Sequence, residues 1–173
     1  MRKFALLPAA LLLFGLSGCG YHALGAATHL PPDVHTLAVP VFATRTETYH
    51  TEVAMTDAVI RELTARTNFR VTPDESADAD AVLHGTVLQE NVMPLTYNTT
   101  TQQSSSFLIT VVAAVKLTGR GGKVLYENNR YVFRQQFQST TDLSVFFQES
   151  PAAIQRLSRD FARAVVSDIL AGF

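Results

Sequence analysis

Hydrophobic and polar residues alternate most regularly in the second half of the chain, and this pattern predicts a long β-hairpin. Ser106–Thr118 puts every second residue on an apolar face and leaves Thr and Lys for the other face. Gly119–Lys123 contains three glycines, which supply the positive φ angles of a tight turn. The returning strand, Val124–Gln138, is expected to have one buried face and one wet or partner-facing face. We assign to its buried face Leu125, Tyr131, Phe133 and Phe137, and to its wet face Asn128, Arg130, Arg134 and Gln136.

Shorter β-rich runs predict three strands earlier in the chain, at Thr36–Phe42, Phe69–Val71 and Ala81–Glu90. Pro40 lacks an N–H group, so it indicates an edge strand or a strand end. Two stretches rich in polar residues are predicted to be loops, namely Thr44–Thr48 and Thr96–Ser106.

Two segments have the spacing of amphipathic helices. The first runs from about Thr51 to Arg66, and the second starts with Ser150 as a cap and Pro151 in the first helical position. Two helices packed on one face of a small mixed, mostly antiparallel sheet make a two-layer sandwich of the α+β class. Residues 36–173 are predicted to form this single domain.

The N-terminus has the three zones of an export signal. Arg2 and Lys3 precede the apolar run Phe4–Phe14, which is too short for a permanent span of the membrane. The segment Leu16–Cys19 resembles the bacterial lipobox, and the resemblance implies that Cys19 is lipidated after residues 1–18 are removed. Residues 19–35 then form an acylated tether. Because Gly20 and not Asp follows Cys19, the resemblance implies sorting to the outer membrane.

Composition and charge exclude several other classes of protein. The 14 basic and 15 acidic residues give a net charge of −1, which is unlike the basic footprint of a nucleic-acid binder. The single cysteine allows no disulfide framework and no Cys-based metal site. No Gly-x-Ser-x-Gly elbow is present. We therefore expect no enzyme, no cofactor and no metal, although the five histidines invite a metal hypothesis; they are His22, His29, His35, His50 and His84.

Several segments of the mature chain together resemble the LptE family of lipopolysaccharide-assembly lipoproteins. The most specific is the Cys-Gly-Tyr-His start at residues 19–22. It is followed by Leu30-Pro31, the strand at 36–42, the helix around Thr56–Leu63 and the segment Ala79–Val87. The hairpin and the C-terminal helix complete the order of elements, so the similarity covers essentially the whole mature chain.

The resemblance implies a non-enzymatic protein of the outer membrane, lipid-anchored and facing the periplasm. Family members sit as a plug inside a large β-barrel, the LptD protein, and help to deliver lipopolysaccharide to the cell surface. In the family, basic residues of a sheet-end loop are implicated in contacting the phosphates of the lipid. Here Asn91–Ser106 has no Lys or Arg, so direct lipopolysaccharide binding stays open. Arg120 and Lys123 remain candidates for contact with anionic lipid, and Arg130 and Arg134 for a partner face.

Two alternatives remain at this level. The lipoprotein activators of cell-wall synthases and the curli-secretion lipoproteins also begin with an Ala-Val-Pro-Phe-like strand, although Val41 separates Pro40 from Phe42 here. A cell-wall enzyme is a third alternative, but the sequence has no recognisable nucleophile or metal cluster.

Overall fold

The structure is a computed structural model that describes residues 30–46, 50–75, 78–98, 103–138 and 143–172. Two helices and six strands account for most of this part of the chain. In order they are β1 (Thr36–Ala38), β2 (Ala43–Thr44), α1 (Thr51–Arg66), β3 (Arg70–Thr72), β4 (Ala81–Asn98), β5 (Gln103–Gly119), β6 (Val124–Gln138) and α2 (Leu143–Ala171).

The strands form one mixed sheet in the order β3-β1-β4-β5-β6, with β2 pairing with β4 beyond the end of β1. The early strands pair in parallel, β1 with β3 and β4, and β2 with β4. The long strands β4, β5 and β6 pair antiparallel. Both helices pack on the same apolar face of the sheet, which confirms the predicted α+β two-layer sandwich.

The core lies between β5 and α2. Every second residue of β5 from Ile109 to Leu117 is at most 1% exposed, as the alternation predicts. The helix contributes Leu157, Phe161, Val165 and Ile169 to the same cluster. The Phe161 ring makes edge contacts with Phe42, Tyr131 and Phe133. Aromatic side chains from the segment after β1 and from β6 therefore hold the 29-residue helix on the sheet.

Phe42 explains the glycine in the middle of β4. A Cβ atom added at Gly85 would lie 2.4 Å from a ring carbon of Phe42, so only a glycine lets the ring rest on the strand backbone. The buried Phe42 N–H donates to the Thr56 hydroxyl at 3.0 Å, and that hydroxyl donates to the Glu52 carbonyl at 2.6 Å. The residues after β1 are thus fixed to both β4 and α1.

The first predicted strand is interrupted. It divides into β1 and the two-residue β2, and Pro40 lies between them. Because β1 is flanked by β3 and β4, Pro40 marks a strand end and not an edge strand. The polar loop predicted from Thr44 begins one residue later, since Thr44 pairs with Val87.

The predicted loop at Thr96–Ser106 is largely strand, which corrects the sequence-based assignment. β4 continues to Asn98 and β5 begins at Gln103, and the two pair across this region. Thr and Ser tolerate extended backbone well, and the ladder of hydrogen bonds outweighs their turn preference. The hairpin arm is accordingly longer than its apolar alternation suggests.

Two other boundaries differ from the prediction. Helix α2 begins at Leu143, so Pro151 is internal and Ser150 is not the cap. Proline loses its own N–H bond, but the backbone on either side can still continue the helix. Leu30 and Val34 belong to the core cluster, so the folded domain begins before Thr36 and includes part of the expected tether.

Leu125 is half-buried and packs against the core cluster, as predicted. The assignment of Asn128 to the wet face is wrong, because Asn128 pairs with the buried Val115. Irregularities in the β5–β6 register at Leu125 and near Arg130 each insert an extra residue into β6. A single insertion exchanges the two faces of a strand. As a result Tyr126, paired with Leu117, is the buried residue, and Tyr131 and Phe137 lie inward after the second bulge.

Candidate functional site

The basic turn Arg120–Lys123 lies beside the start of the folded chain. The Arg120 guanidinium forms an ion pair with Asp80 at 2.7 Å, and the other Asp80 oxygen accepts the N–H groups of His35 and Thr36 at 2.9 and 2.8 Å. These backbone hydrogen bonds, from Thr36 and His35, lower the pKa of Asp80, and Arg120 adds to the effect.

Arg120 and Lys123 line a cleft of about 210 Å³ together with Asp33 and Asp80. Both basic side chains are exposed, but the cleft holds carboxylates as well as cations. Arg120 would have to exchange Asp80 for a phosphate in order to bind anionic lipid. The lipid contact proposed from the sequence therefore stays a prediction.

A polar cluster joins β6 to α2. The Tyr131 hydroxyl donates to Asp168 Oδ2 at 2.6 Å, and the hydroxyls of Tyr126 and Tyr131 are hydrogen-bonded to each other. Because Tyr131 gives its proton to Asp168, Tyr126 is the donor within the tyrosine pair. The Tyr126 hydroxyl also lies 3.4 Å from the same Asp168 oxygen. Burial raises the pKa of Tyr131 above its usual value, and the bond to Asp168 raises it further. No spacing in the sequence could have indicated this cluster, since its members lie far apart on two elements.

A second titratable group lies on the helix-covered face at the start of α1. Glu90 is half-buried, and its Oε2 atom has no hydrogen-bond partner within the described residues. Burial raises the pKa of Glu90, while a hydrogen bond from the Thr51 hydroxyl opposes this rise and the nearby Glu52 charge reinforces it. Burial of the Glu90 carboxylate is thus only partly compensated by hydrogen bonding.

The face of the sheet opposite the helices is a distinctive surface. We define the open face as the residues of β4, β5 and β6 that point away from the helices, between Ala114 and the β4–β5 turn. In it, Val112 pairs with Gln89 and Val132, Thr110 with Asn91 and Arg134, and Leu108 with Met93 and Gln136. No described helix covers this face, and its strand positions alternate with the buried ones.

The open face is nearly free of charge. The sequence from Asn91 to Val115 contains no acidic, basic or histidine residue. Within the described part of this stretch, Met93 is 49% and Leu95 is 47% exposed, although both are large apolar residues. Exposed apolar side chains on a surface with few charges are typical of a protein or lipid contact. The charge-free run was the available sequence signal, but its assignment to a loop concealed the surface.

Arg130 and Arg134 are exposed on β6, at the side of the open face. Arg134 pairs with Thr110, and Arg130 lies at the bulge, where its N–H donates to the Asn128 side chain at 2.9 Å. The structure therefore places these two predicted residues on one strand, at the β6 side of the open face. Their role as a partner face stays a prediction.

The described residues offer little else of chemical interest. They contain no group of three or more His, Cys, Asp or Glu side chains placed to hold a metal ion. No helix among them has the length and apolar character needed to cross a membrane. Cys19, the expected lipidation site, lies outside the described residues, as do His22 and His29.

Comparison with known proteins gives a family and a fold. A protein-family model described as LptE, lipopolysaccharide-assembly, matches residues 34–169. No curated protein matches the sequence. Rare lipoprotein B from Shewanella oneidensis has a similar structure, with a TM-score of 0.51 at 11% identity over 79% of this chain and 95% of that chain. Lipoprotein B from Nitrosomonas europaea gives a TM-score of 0.52 at 10% identity over 82% and 89%. At such identities the structural likeness shows the shared fold.

Proposed function

Since the chain belongs to the LptE family of lipopolysaccharide-assembly proteins, we propose that it works with an LptD-type β-barrel of the outer membrane. In this role it helps the barrel to assemble and to deliver lipopolysaccharide to the cell surface. The family consists of non-enzymatic lipoproteins, so the proposal assigns the chain a binding function and no reaction.

The open face carries the proposal for a barrel partner. It presents Met93 and Leu108 as a directly paired apolar couple, with Val112 and Val132 as a second one. Burying apolar surface contributes about 25 cal/mol per Å², so such a face gains free energy when a protein wall covers it. The uncharged Thr, Asn and Gln neighbours cost less to bury than charged residues, provided that the partner supplies their hydrogen bonds. A plug inside a barrel needs a surface of this kind.

The anchor completes the proposed arrangement. We place acylation at Cys19, with residues 1–18 as the signal peptide and the residues after Cys19 as a tether on the periplasmic side of the outer membrane. A short tether raises the effective concentration of the domain near an outer-membrane partner without requiring a strong interface. A Cys19→Ala chain is expected to lose fatty-acid labelling. Labelling that persists in this variant would refute acylation at Cys19.

Affinity purification tests the partner. The tagged full chain, recovered from detergent-solubilised outer membrane, is expected to bring down a large β-barrel protein in a stoichiometric complex. Recovery of a peptidoglycan synthase in place of a barrel would contradict the proposal and favour the alternative of a cell-wall-synthase activator. A curli-secretion complex in the eluate would contradict it equally.

A further inference from the structure

Strand β6 has a long edge with which no described strand pairs. It is the last strand in the order β3-β1-β4-β5-β6, and β5 is its one neighbour within the described residues. The other open edges of the sheet are poor templates for pairing. β3 has three residues and is followed by Pro73, and the part of β4 beyond Val87 contains Pro94, which lacks an N–H group. β6 has 15 residues and no proline.

The second half of β6 is regular enough to accept another strand. Both bulges lie before Tyr131, and from Tyr131 to Gln138 each residue pairs in turn with one from Ala113 to Ser106. A stretch of this length spans about 26 Å at 3.3 Å per residue. Along its free side, every second residue presents an N–H and a C=O group outward. We call Tyr131–Gln138 the β6 edge.

Two exposed arginines accompany this edge. Arg130 and Arg134 are exposed, and no carboxylate among the described residues forms an ion pair with either. Residues 128–138 contain no Asp or Glu. The two arginines are four residues apart in the strand, which corresponds to about 13 Å. A partner that satisfies both needs two negative groups at the same spacing.

We propose that the β6 edge receives an extended, proline-free segment of the protein partner, which adds to the sheet as a further strand. This segment carries two carboxylates four residues apart, opposite Arg130 and Arg134. Backbone hydrogen bonds supply most of the affinity, while the two ion pairs fix the register and select the partner. The identity of the partner rests on the proposed function; the chemistry of the edge does not.

The same arginines disfavour pairing between two copies of this chain. In a complex of two β6 edges, arginines would approach arginines, and like charges in neighbouring strands are destabilising. An acidic strand encounters no such repulsion. The edge is thus selective for the charge of the incoming strand.

A peptide experiment on the full chain in mild detergent tests this edge directly. The probe has eight residues, alternates Thr and Val, and carries Asp at its second and sixth positions. We expect it to slow amide hydrogen exchange in residues 131–135, which it covers in either strand direction when its two Asp residues face Arg130 and Arg134. A matched peptide with Lys in place of Asp should bind roughly tenfold more weakly, because two exposed ion pairs are lost. Methylating alternate backbone nitrogens of the Asp peptide, in the register that faces β6, should abolish binding.

A charge-exchanged variant provides the control. Arg130→Glu combined with Arg134→Glu should reverse the preference and bind the Lys peptide better than the Asp peptide. Equal binding of both peptides to the natural chain, or no protection of residues 131–135 by either peptide, would overturn the inference.

Affinity purification then separates this inference from the proposed function. If the natural chain recovers the barrel and the charge-exchanged variant recovers it equally well, the edge inference fails and the proposed function stands. If the natural chain recovers no barrel, the proposed function fails, whatever the peptides do. Reduced recovery by the variant alone, restored by placing two Lys residues on the partner segment, supports both.

Discussion

At the scale of single residues, Gly85 and Thr56 are required by Phe42. Neither requirement can be read from local sequence, because the aromatic ring and its hydrogen-bond partner come from different elements. Gly85 lies inside a strand, where glycine is ordinarily unfavourable. Its presence there indicated a close approach, but the sequence did not say what approaches.

Gly85→Ala should therefore destabilise the domain by about 1–3 kcal/mol, because the new methyl group must displace the buried Phe42 ring or the strand. Denaturant unfolding monitored by circular dichroism measures the change. Thr86→Ala, at the neighbouring position on the opposite side of β4, is the matched control and should cost less than about 1 kcal/mol. Equal effects of the two substitutions would show that the ring contact is not important.

Glu90 should make stability depend on pH. Its pKa is raised from 4.5 in the folded chain, so its ionisation costs more in the folded state than in the unfolded state. The contribution of the protonated group is complete below about pH 4.5 and is lost as the pH rises through the folded pKa. Glu90→Gln should raise the thermal midpoint at pH 7 and flatten this decline. Asp57→Asn, at an exposed position of α1, is the control; the same flattening in that variant would exclude Glu90 as the cause.

At the scale of elements, the predictions succeeded where one face is buried and failed where pairing or tertiary contacts decide. The alternation of β5 was readable because every second residue from Ile109 to Leu117 is buried in the core. The polar residues of the hairpin arm form strands through backbone pairing, which composition does not reveal. Two bulges exchange the faces of β6, and no residue type at these positions predicts a bulge. The start of α2 was misplaced because Pro151 looked like a first-turn residue.

The contact of β6 with α2 depends on Tyr131. Tyr131→Phe should cost about 1–3 kcal/mol, because Asp168 loses its nearest hydrogen-bond donor in a partly buried place. The raised pKa of Tyr131 means that its contribution is complete below about pH 10 and is lost as the pH rises above that value. The variant should therefore unfold with a shallower alkaline decline, measured by circular dichroism from pH 8 to 11.

Tyr126→Phe is the matched control for this cluster. It removes the bond between the tyrosines and the longer bond of 3.4 Å from Tyr126 to Asp168, but leaves the bond of 2.6 Å from Tyr131 to Asp168 intact. Its cost should be smaller than that of Tyr131→Phe. The opposite order would contradict the assignment of Tyr131 as the main donor.

At the scale of the whole molecule, the two ends of the sandwich have different characters. The start of the domain, the basic turn and the carboxylate of Asp80 meet at one end, where the polypeptide enters the fold. The β4–β5 hairpin extends from the other end as a charge-free arm. β4 alone is about 59 Å long at 3.3 Å per residue for its 18 residues. With the proposed anchor at Cys19, this arm would present a long surface without charged residues to a neighbouring protein of the membrane.

Photo-crosslinking in living cells tests most directly whether the open face binds the barrel. A photoreactive amino acid placed at Met93 or Leu108 should crosslink to an LptD-type barrel, because these side chains lie on the neutral, helix-free surface. The same group at Arg159, on the exposed side of α2, should give little crosslinking or none. Crosslinks to the barrel from Arg159, with none from Met93 and Leu108, would contradict the account.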